Sequence, residues 1–263
     1  MPKHINRKPT KEFSDLVEVM KILRKECPWD RKQTHESIKD LMVEEIYEAI
    51  DAIDRKDYDD LSKELGDLLL HIVFHSEMAS EMERFTINDV IYSIQEKLIR
   101  RHPHVFDGLH VTGSEEVTRN WESIKMAEAG RKSVLDGVPE KLPGLLRAQR
   151  MQEKAGAVGF DWKDWKDAWK KLDEELDEFK TRIEEQNQDE ARKEFGDLLF
   201  SVVNVGRLLN LNAEDSIRLT NRKFQKRFEY IEQKLAGKKL NPSEVTLEEM
   251  DRIWEESKAN EID

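Results

Sequence analysis

The sequence predicts an all-α protein built from two tandem four-helix-type modules joined by a Pro- and Gly-containing linker. Three observations carry that expectation. Apolar residues recur at three- and four-residue spacing, as in Leu16, Met20 and Leu23 or Leu61, Leu65, Leu68 and Ile72, the pattern of amphipathic helices. No stretch alternates convincingly with a period of two, and neither Asp107–Gly108 nor Asp136–Gly137 lies between β-branched runs. Finally, an acidic pattern occurs twice: Glu44, Glu45, Glu48, Glu64 and Asp67 are matched 130 positions later by Glu174, Glu175, Glu178, Glu194 and Asp197. Around the later acids, Leu61–Leu70 and Ala191–Phe200 share six residues of ten.

Taken in order, the periodicity places helices near 11–25, 35–54, 58–82 and 87–101, with a shorter one near 114–128. Leu41, Ile46, Ile50 and Ile53 mark the second of these, and Pro103 ends the fourth. Gly130, Gly137, Pro139, Pro143 and Gly144 make 130–144 the linker, which leaves modules at 1–129 and 145–263. The second half repeats the plan near 145–157, 163–185, 188–210 and 213–236. A last helix near 246–259 follows the break at Asn241–Pro242.

The doubled acids have a defined geometry. Glu45 and Glu48 are three residues apart, as are Glu64 and Asp67, and such pairs share a helix face. Between them, Asp54-Arg55-Lys56-Asp57-Tyr58 is a polar break suited to a tight turn. Six residues separate Glu48 from Asp54 and Tyr58 from Glu64, so both pairs stand about 9 Å from the turn. An antiparallel hairpin therefore brings Glu45, Glu48, Glu64 and Asp67 to one level. The same count around a turn at Glu185–Gln188 converges Glu175, Glu178, Glu194 and Asp197. Gly66 and Gly196 interrupt these helices, where Gly costs about 1 kcal/mol relative to Ala, and close helix approach is one reason to tolerate it.

Four converging carboxylates repel one another and raise their own pKa values unless a cation intervenes. Hard divalent cations with oxygen ligands, Mg²⁺ with Mn²⁺ as a substitute, resolve the conflict. Helix acids are often merely solvated; identical spacing in both copies argues against that here. A di-iron bundle needs Glu-x-x-His, which neither copy contains, and His71 becomes Ser201 in the second.

Composition narrows the setting. A net charge of −12 disfavours sequence-independent nucleic-acid binding. Cys27 is the single cysteine, so no internal disulfide forms, and no run of about 18 apolar residues offers a membrane span. The expected location is the cytoplasm.

Several segments together resemble one family. They are Cys27-Pro28-Trp29-Asp30 with Gln33-Thr34, the two acidic sets, Arg101-His102-Pro103-His104-Val105-Phe106, Val158-Gly159-Phe160-Asp161-Trp162, and Asn221-x-Lys223-Phe224-x-x-Arg227-Phe228. Their ordered combination, from about Leu16 to Asp263, resembles the two-module MazG nucleoside triphosphate pyrophosphohydrolases. The resemblance implies the all-α NTP pyrophosphatase fold, a homodimer, and Mg²⁺ held by Glu-Glu-Glu-Asp sets. It also implies conversion of an NTP or dNTP and water to the monophosphate and diphosphate, with broad base tolerance. By the same resemblance, nucleotide contacts fall on Lys171, Leu172, Asp173, Glu174 and Glu175, on Glu190, Ala191, Arg192 and Lys193, on Lys223, Phe224, Gln225, Lys226 and Arg227, and on Trp254. The alternatives are a narrower dUTP/dCTP or phosphoribosyl-ATP pyrophosphatase, or a non-enzymatic metal-binding scaffold.

These positions make physical sense. Lys171 lies one turn before Glu175, within reach of a metal-held phosphate, and Lys223 and Arg227 are likewise four apart. Trp254 is suited to stacking on a base or to packing. Glu174 or Glu175 is the carboxylate to orient or deprotonate the attacking water. Leu41 replaces Lys171 in the first copy, and Trp121 is the nearest counterpart of Trp254, so the second module is expected to be the main catalytic site. His102 and His104 are read as loop or interface residues. Trp162, Trp165 and Trp169 are read as one helical stripe forming core or dimer contacts, and the Cys27–Asp30 and Gly159–Asp161 segments as helix-starting turns.

Overall fold

The computed structural model describes residues 8–113, 116–117, 120–121, 124 and 133–260, and no strand occurs among them. The chain divides into two compact units, Met1–Thr112 and Gly113–Asp263. Residues 133–143 of the expected linker thus group with the second unit, where the Lys154 ammonium donates to the Val134 carbonyl at 3.3 Å. Most of the expected helix near 114–128, and Gly130, lie outside the described residues.

The first unit contains α1 (Phe13–Glu26), α2 (His35–Arg55), α3 (Tyr58–Glu81), α4 (Ile87–Arg101) and a single turn, α5 (Pro103–Phe106). Thr34 starts α2: its hydroxyl oxygen accepts from the Ser37 N–H at 3.2 Å, and the Ser37 hydroxyl oxygen accepts from the Thr34 N–H at 2.9 Å. Left-handed Lys56 (φ 56°) ends α2, and Asp57 starts α3 by accepting from the Asp60 N–H at 3.0 Å. Met20 from α1, Ile38 from α2 and Val73, Phe74 and Met78 from α3 form the core. Burying each such side chain contributes about 1.5–3 kcal/mol. Arg24 ties α1 to α3 by donating from Nε to Glu81 Oε1 at 2.7 Å. Its Nη1 donates to the carbonyls of both Asp30 and Gln33, so the Cys27–Gln33 segment is a scaffold that aims the start of α2. Pro103 both ends α4 and opens α5, whose first N–H would have no helical partner.

The second unit contains α6 (Gly144–Ala157), α7 (Trp165–Glu184), α8 (Gln188–Leu208), α9 (Ala213–Gly237) and α10 (Leu247–Ala259). Its α7–α8 turn repeats the first: Gln186 is left-handed (φ 56°) and Asn187 accepts from the Glu190 N–H at 3.3 Å. These residues stand 130 positions after Lys56 and Asp57, so the duplication extends to the turn's backbone. Ile231, Leu235 and Ile253 bury the α9–α10 contact, with Trp254 packed beside them. Side-chain amides join α6 to its neighbours: Gln152 donates to the Phe200 carbonyl at 2.8 Å, and Gln149 accepts from the Ala213 N–H at 3.1 Å.

Two expectations are corrected. A Cβ at Gly66 or Gly196 would meet nothing within 4 Å, so no close helix approach within the chain explains either glycine. Trp162 precedes α7 and does not share a stripe with Trp165 and Trp169, which meet edge-on at 6.2 Å between centroids. All three are exposed and none is core. Each hairpin also leaves an apolar stripe in solvent: Leu65, Leu69 and Ile72 on α3, and Phe195, Leu199 and Val202 at the matching positions of α8. No described helix is long and apolar enough to cross a membrane.

Candidate active site

Each hairpin gathers three acids. Glu45, Glu64 and Asp67 offer carboxylate oxygens within 4.8 Å of one another, and so do Glu175, Glu194 and Asp197. Glu48 and Glu178, the remaining members of the expected quartets, are exposed and stand outside these triads. Glu48 nevertheless stands close enough to Glu64 to help push its carboxyl up.

The triads differ in what neutralises them. In the first, burial and then the neighbouring Asp67, Glu48 and Glu64 push the Glu45 carboxyl up. Glu64 is raised in the same way, by desolvation first and Glu48 next. In the second, Lys171 Nζ lies 2.8 Å from carboxylate oxygens of both Glu174 and Glu175. Those bonds hold the lysine above its ordinary pKa and set a cation beside Glu175, which is only 6% exposed. Arg182 Nε approaches Glu194 at 3.6 Å, and Lys193 bonds Glu190 at 2.6 Å. Arg182 escaped the sequence reading although a signal existed. Its counterpart 130 positions earlier is Ala52, the same kind of asymmetry that singled out Lys171 over Leu41.

Beside the second triad opens a cavity of about 630 Å³, whose wall includes Lys171, Glu175 and Asp197. Met151, Phe160, Trp162 and Phe200 make much of the remainder apolar, and Gln152, Asn204 and Arg207 supply polar groups. In sequence the Gly159–Trp162 segment reads as structural, and α8 beyond Ser201 carries no recognisable motif. At the positions matching Ser201 and Asn204, the first unit buries His71 and Phe74.

The expected nucleotide contacts fall into two groups. Lys171, Leu172, Asp173, Glu174 and Glu175 on α7, with Glu190, Ala191, Arg192 and Lys193 on α8, belong to the triad's hairpin; Leu172 is half-buried, Ala191 buried, and Asp173 and Arg192 exposed. Lys223, Phe224, Gln225, Lys226 and Arg227 lie on α9 beside Trp254 of α10. There the Arg227 guanidinium sits 5.7 Å over the Trp254 ring and Phe224 packs on it at 5.3 Å. No member of this second group lines the cavity.

Among known proteins, a family model described as the MazG nucleotide pyrophosphohydrolase domain matches residues 33–106 and again 166–231. The chain is 45% identical over 253 residues to the nucleoside triphosphate pyrophosphohydrolase/pyrophosphatase MazG of Thermotoga maritima, spanning 95% of this chain and 96% of that protein. It is 43% identical over 260 residues to the nucleoside triphosphate pyrophosphohydrolase of Escherichia coli K12, spanning 96% and 99%. It is also 44% identical over 255 residues to the uncharacterized protein YabN of Bacillus subtilis, of which it covers 52%.

Proposed function

The chain belongs to the MazG nucleotide pyrophosphohydrolase family, and from that premise we propose that it hydrolyses nucleoside triphosphates to the monophosphate and diphosphate, chiefly at the second hairpin. The observation that carries this reading is a cation-backed acidic triad opening into a cavity of nucleotide-binding size. The donor set is oxygen only, which suits Mg²⁺ or Mn²⁺. Glu175, Glu194 and Asp197 would hold the ion, with exposed Glu178 one turn from Glu175 as a further donor. When bound, Mg²⁺ neutralises phosphate charge and acidifies water.

The chain's own groups then act as follows. Lys171 exchanges a carboxylate for a phosphate oxygen, and Arg182 and Lys193 offset charge on the same hairpin. Glu174 lies outside the triad, and when Lys171 turns away it is free to take a proton from the attacking water. Water oxygen bonds to the α-phosphorus, the bond from that phosphorus to the α–β bridging oxygen breaks, and the pair of electrons leaves with diphosphate. Lys223, Arg227 and Trp254 form a separate basic–aromatic cluster, the remaining candidate for substrate contact. The exposed stripes beside Gly66 and Gly196 suit burial against a second copy of the chain, and the open space at each glycine would admit a partner's helix.

The test is a steady-state panel of common NTPs and dNTPs with pyrophosphate detection, with and without EDTA. Activity across all bases, lost with EDTA and restored by Mg²⁺, is expected, and lost in Glu175→Gln while largely retained in Glu45→Gln. Near-normal turnover in Glu175→Gln would sink the assignment.

A further inference from the structure

We infer that His71 and His75 of α3 form a site for a nitrogen-preferring divalent transition-metal ion, of the Zn²⁺ or Co²⁺ class, with His35 of α2 as a positioning residue. Neither α3 histidine belongs to the acidic triad of the first unit, and the inference does not depend on the pyrophosphohydrolase reading. The two stand four residues apart on one helix, the spacing that sets two imidazoles on one face to share a metal. Their ring centroids are 6.2 Å apart. Rings that share an ion, each through a nitrogen about 2.1 Å from it, stand roughly 5–6.5 Å apart, so the helix need not rearrange.

Buried, unpaired nitrogens are the second observation. His71 is 7% exposed, and its Nδ1 is buried with no hydrogen-bond partner among the described residues; the same holds for His75 Nε2. Buried polar atoms are paired as a rule, because an unpaired one forfeits its hydration. Two such atoms on neighbouring rings are satisfied together by one shared partner. Burial, and for His75 also the nearby His35 and His71, pushes both imidazoles below their ordinary pKa, so at neutral pH each ring is neutral and keeps a lone pair. Imidazole nitrogen suits Zn²⁺, Co²⁺, Ni²⁺ and Cu²⁺, whereas Mg²⁺ takes oxygen. The Asp67 carboxylate, one turn before His71, acts on that ring and favours positive charge beside it. Water supplies the remaining ligands.

His35 supplies the third observation. Its Nδ1 lies 2.7 Å from His75 Nδ1, with the two ring planes within 9° of parallel. A metal-binding histidine is oriented by the hydrogen bond that its other nitrogen makes. With His75 Nδ1–H donating to His35 Nδ1, the lone pair of His75 falls on Nε2, the nitrogen left unpaired. His35 is the first residue of α2, whose start the Thr34–Ser37 capping box fixes, so a second helix braces the ligand. In the second unit the residues 130 positions later are Trp165, Ser201 and Val205, which leaves this site to the first unit alone.

The experiment titrates the full chain with Zn²⁺ and with Co²⁺ by calorimetry, in excess Mg²⁺ so that oxygen-ligand sites are already filled. Wild type is expected to bind either ion, and His71→Gln and His75→Gln each to weaken that binding at least tenfold. His35→Phe should weaken it about tenfold to a hundredfold, the effect of losing the group that orients a metal ligand. Circular dichroism shows that each variant folds. Proton–nitrogen spectra of the histidine rings give a readout that needs no variant protein to bind metal: Zn²⁺ should shift His71 Nδ1 and His75 Nε2 and leave His102 and His104 in place. Affinity unchanged in both glutamine variants would overturn the inference, and so would binding lost in Glu45→Gln but kept in His71→Gln. Wild type that binds neither ion, or Zn²⁺ spectra in which the His71 and His75 rings do not move, overturns it as well.

Discussion

Lys171 reaches Glu175 across one helical turn at 2.8 Å, whereas Leu41 occupies the same place before Glu45. That difference, with Arg182 standing where the first copy has Ala52, separates two hairpins otherwise alike in turn and acid spacing. It converts a self-repelling group of carboxylates into one with a resident cation.

Replacing Lys171 with the first copy's residue tests its weight. Lys171→Leu should lower kcat/KM for NTP hydrolysis about tenfold to a hundredfold, the scale of a lost charged hydrogen bond. Pyrophosphate release measures it. An unchanged value would remove Lys171 from the site.

The first triad makes the opposite prediction about stability. Because desolvation and neighbouring acids push Glu45 and Glu64 up, their ionised forms oppose folding when no cation is bound. Glu45→Gln should therefore raise the melting temperature in EDTA and shrink the further rise that Mg²⁺ gives the wild type. A lower melting temperature in EDTA would show that the repulsion is relieved some other way.

Self-association is tested on the α8 stripe. Phe195→Glu with Leu199→Glu places charge among exposed apolar groups, so the single chain should keep its helical content. Sedimentation should then show a lower mass than wild type. Equal masses would mean that this face does not join copies.

The Arg24–Glu81 pair predicts an acid-side effect. Arg24 holds the Glu81 carboxyl below its ordinary value, near 4.5 in an unfolded chain. Its contribution is therefore complete above that value and lost as pH falls through the lowered folded pKa. Melting curves of wild type and Glu81→Gln should differ at pH 7 and converge in acid. A gap independent of pH would mean that packing, not charge, sets the difference.

Much of the fold was legible because the information is local. Helix periodicity placed α2, α3, α7 and α8 within two residues of their observed ends, and the 130-residue repeat located both triads. Features that depend on distant partners were not. Asp161 meets Arg207 and Gln152 meets Phe200 across nearly fifty residues, so no spacing rule exposes the cavity they border. By spacing Trp162 reads as part of a helical stripe, whereas Asp164 caps α7 and leaves Trp162 outside it.

The left-handed turn at Gln186 has a consequence for how such a protein diversifies. The second triad and the turn that joins its two helices all lie between Glu175 and Asp197, so the acidic hairpin is a compact cassette of one turn and two helix ends. Copying it carries the acidic geometry with it, without the long-range contacts that surround it. The cavity has no such portability, because its walls are assembled from α6, a loop and α8. A duplicated chain thus inherits its acidic geometry by length of sequence alone, while the surrounding cavity has to be rebuilt in each copy, and the first copy buries His71 and Phe74 where the second has Ser201 and Asn204.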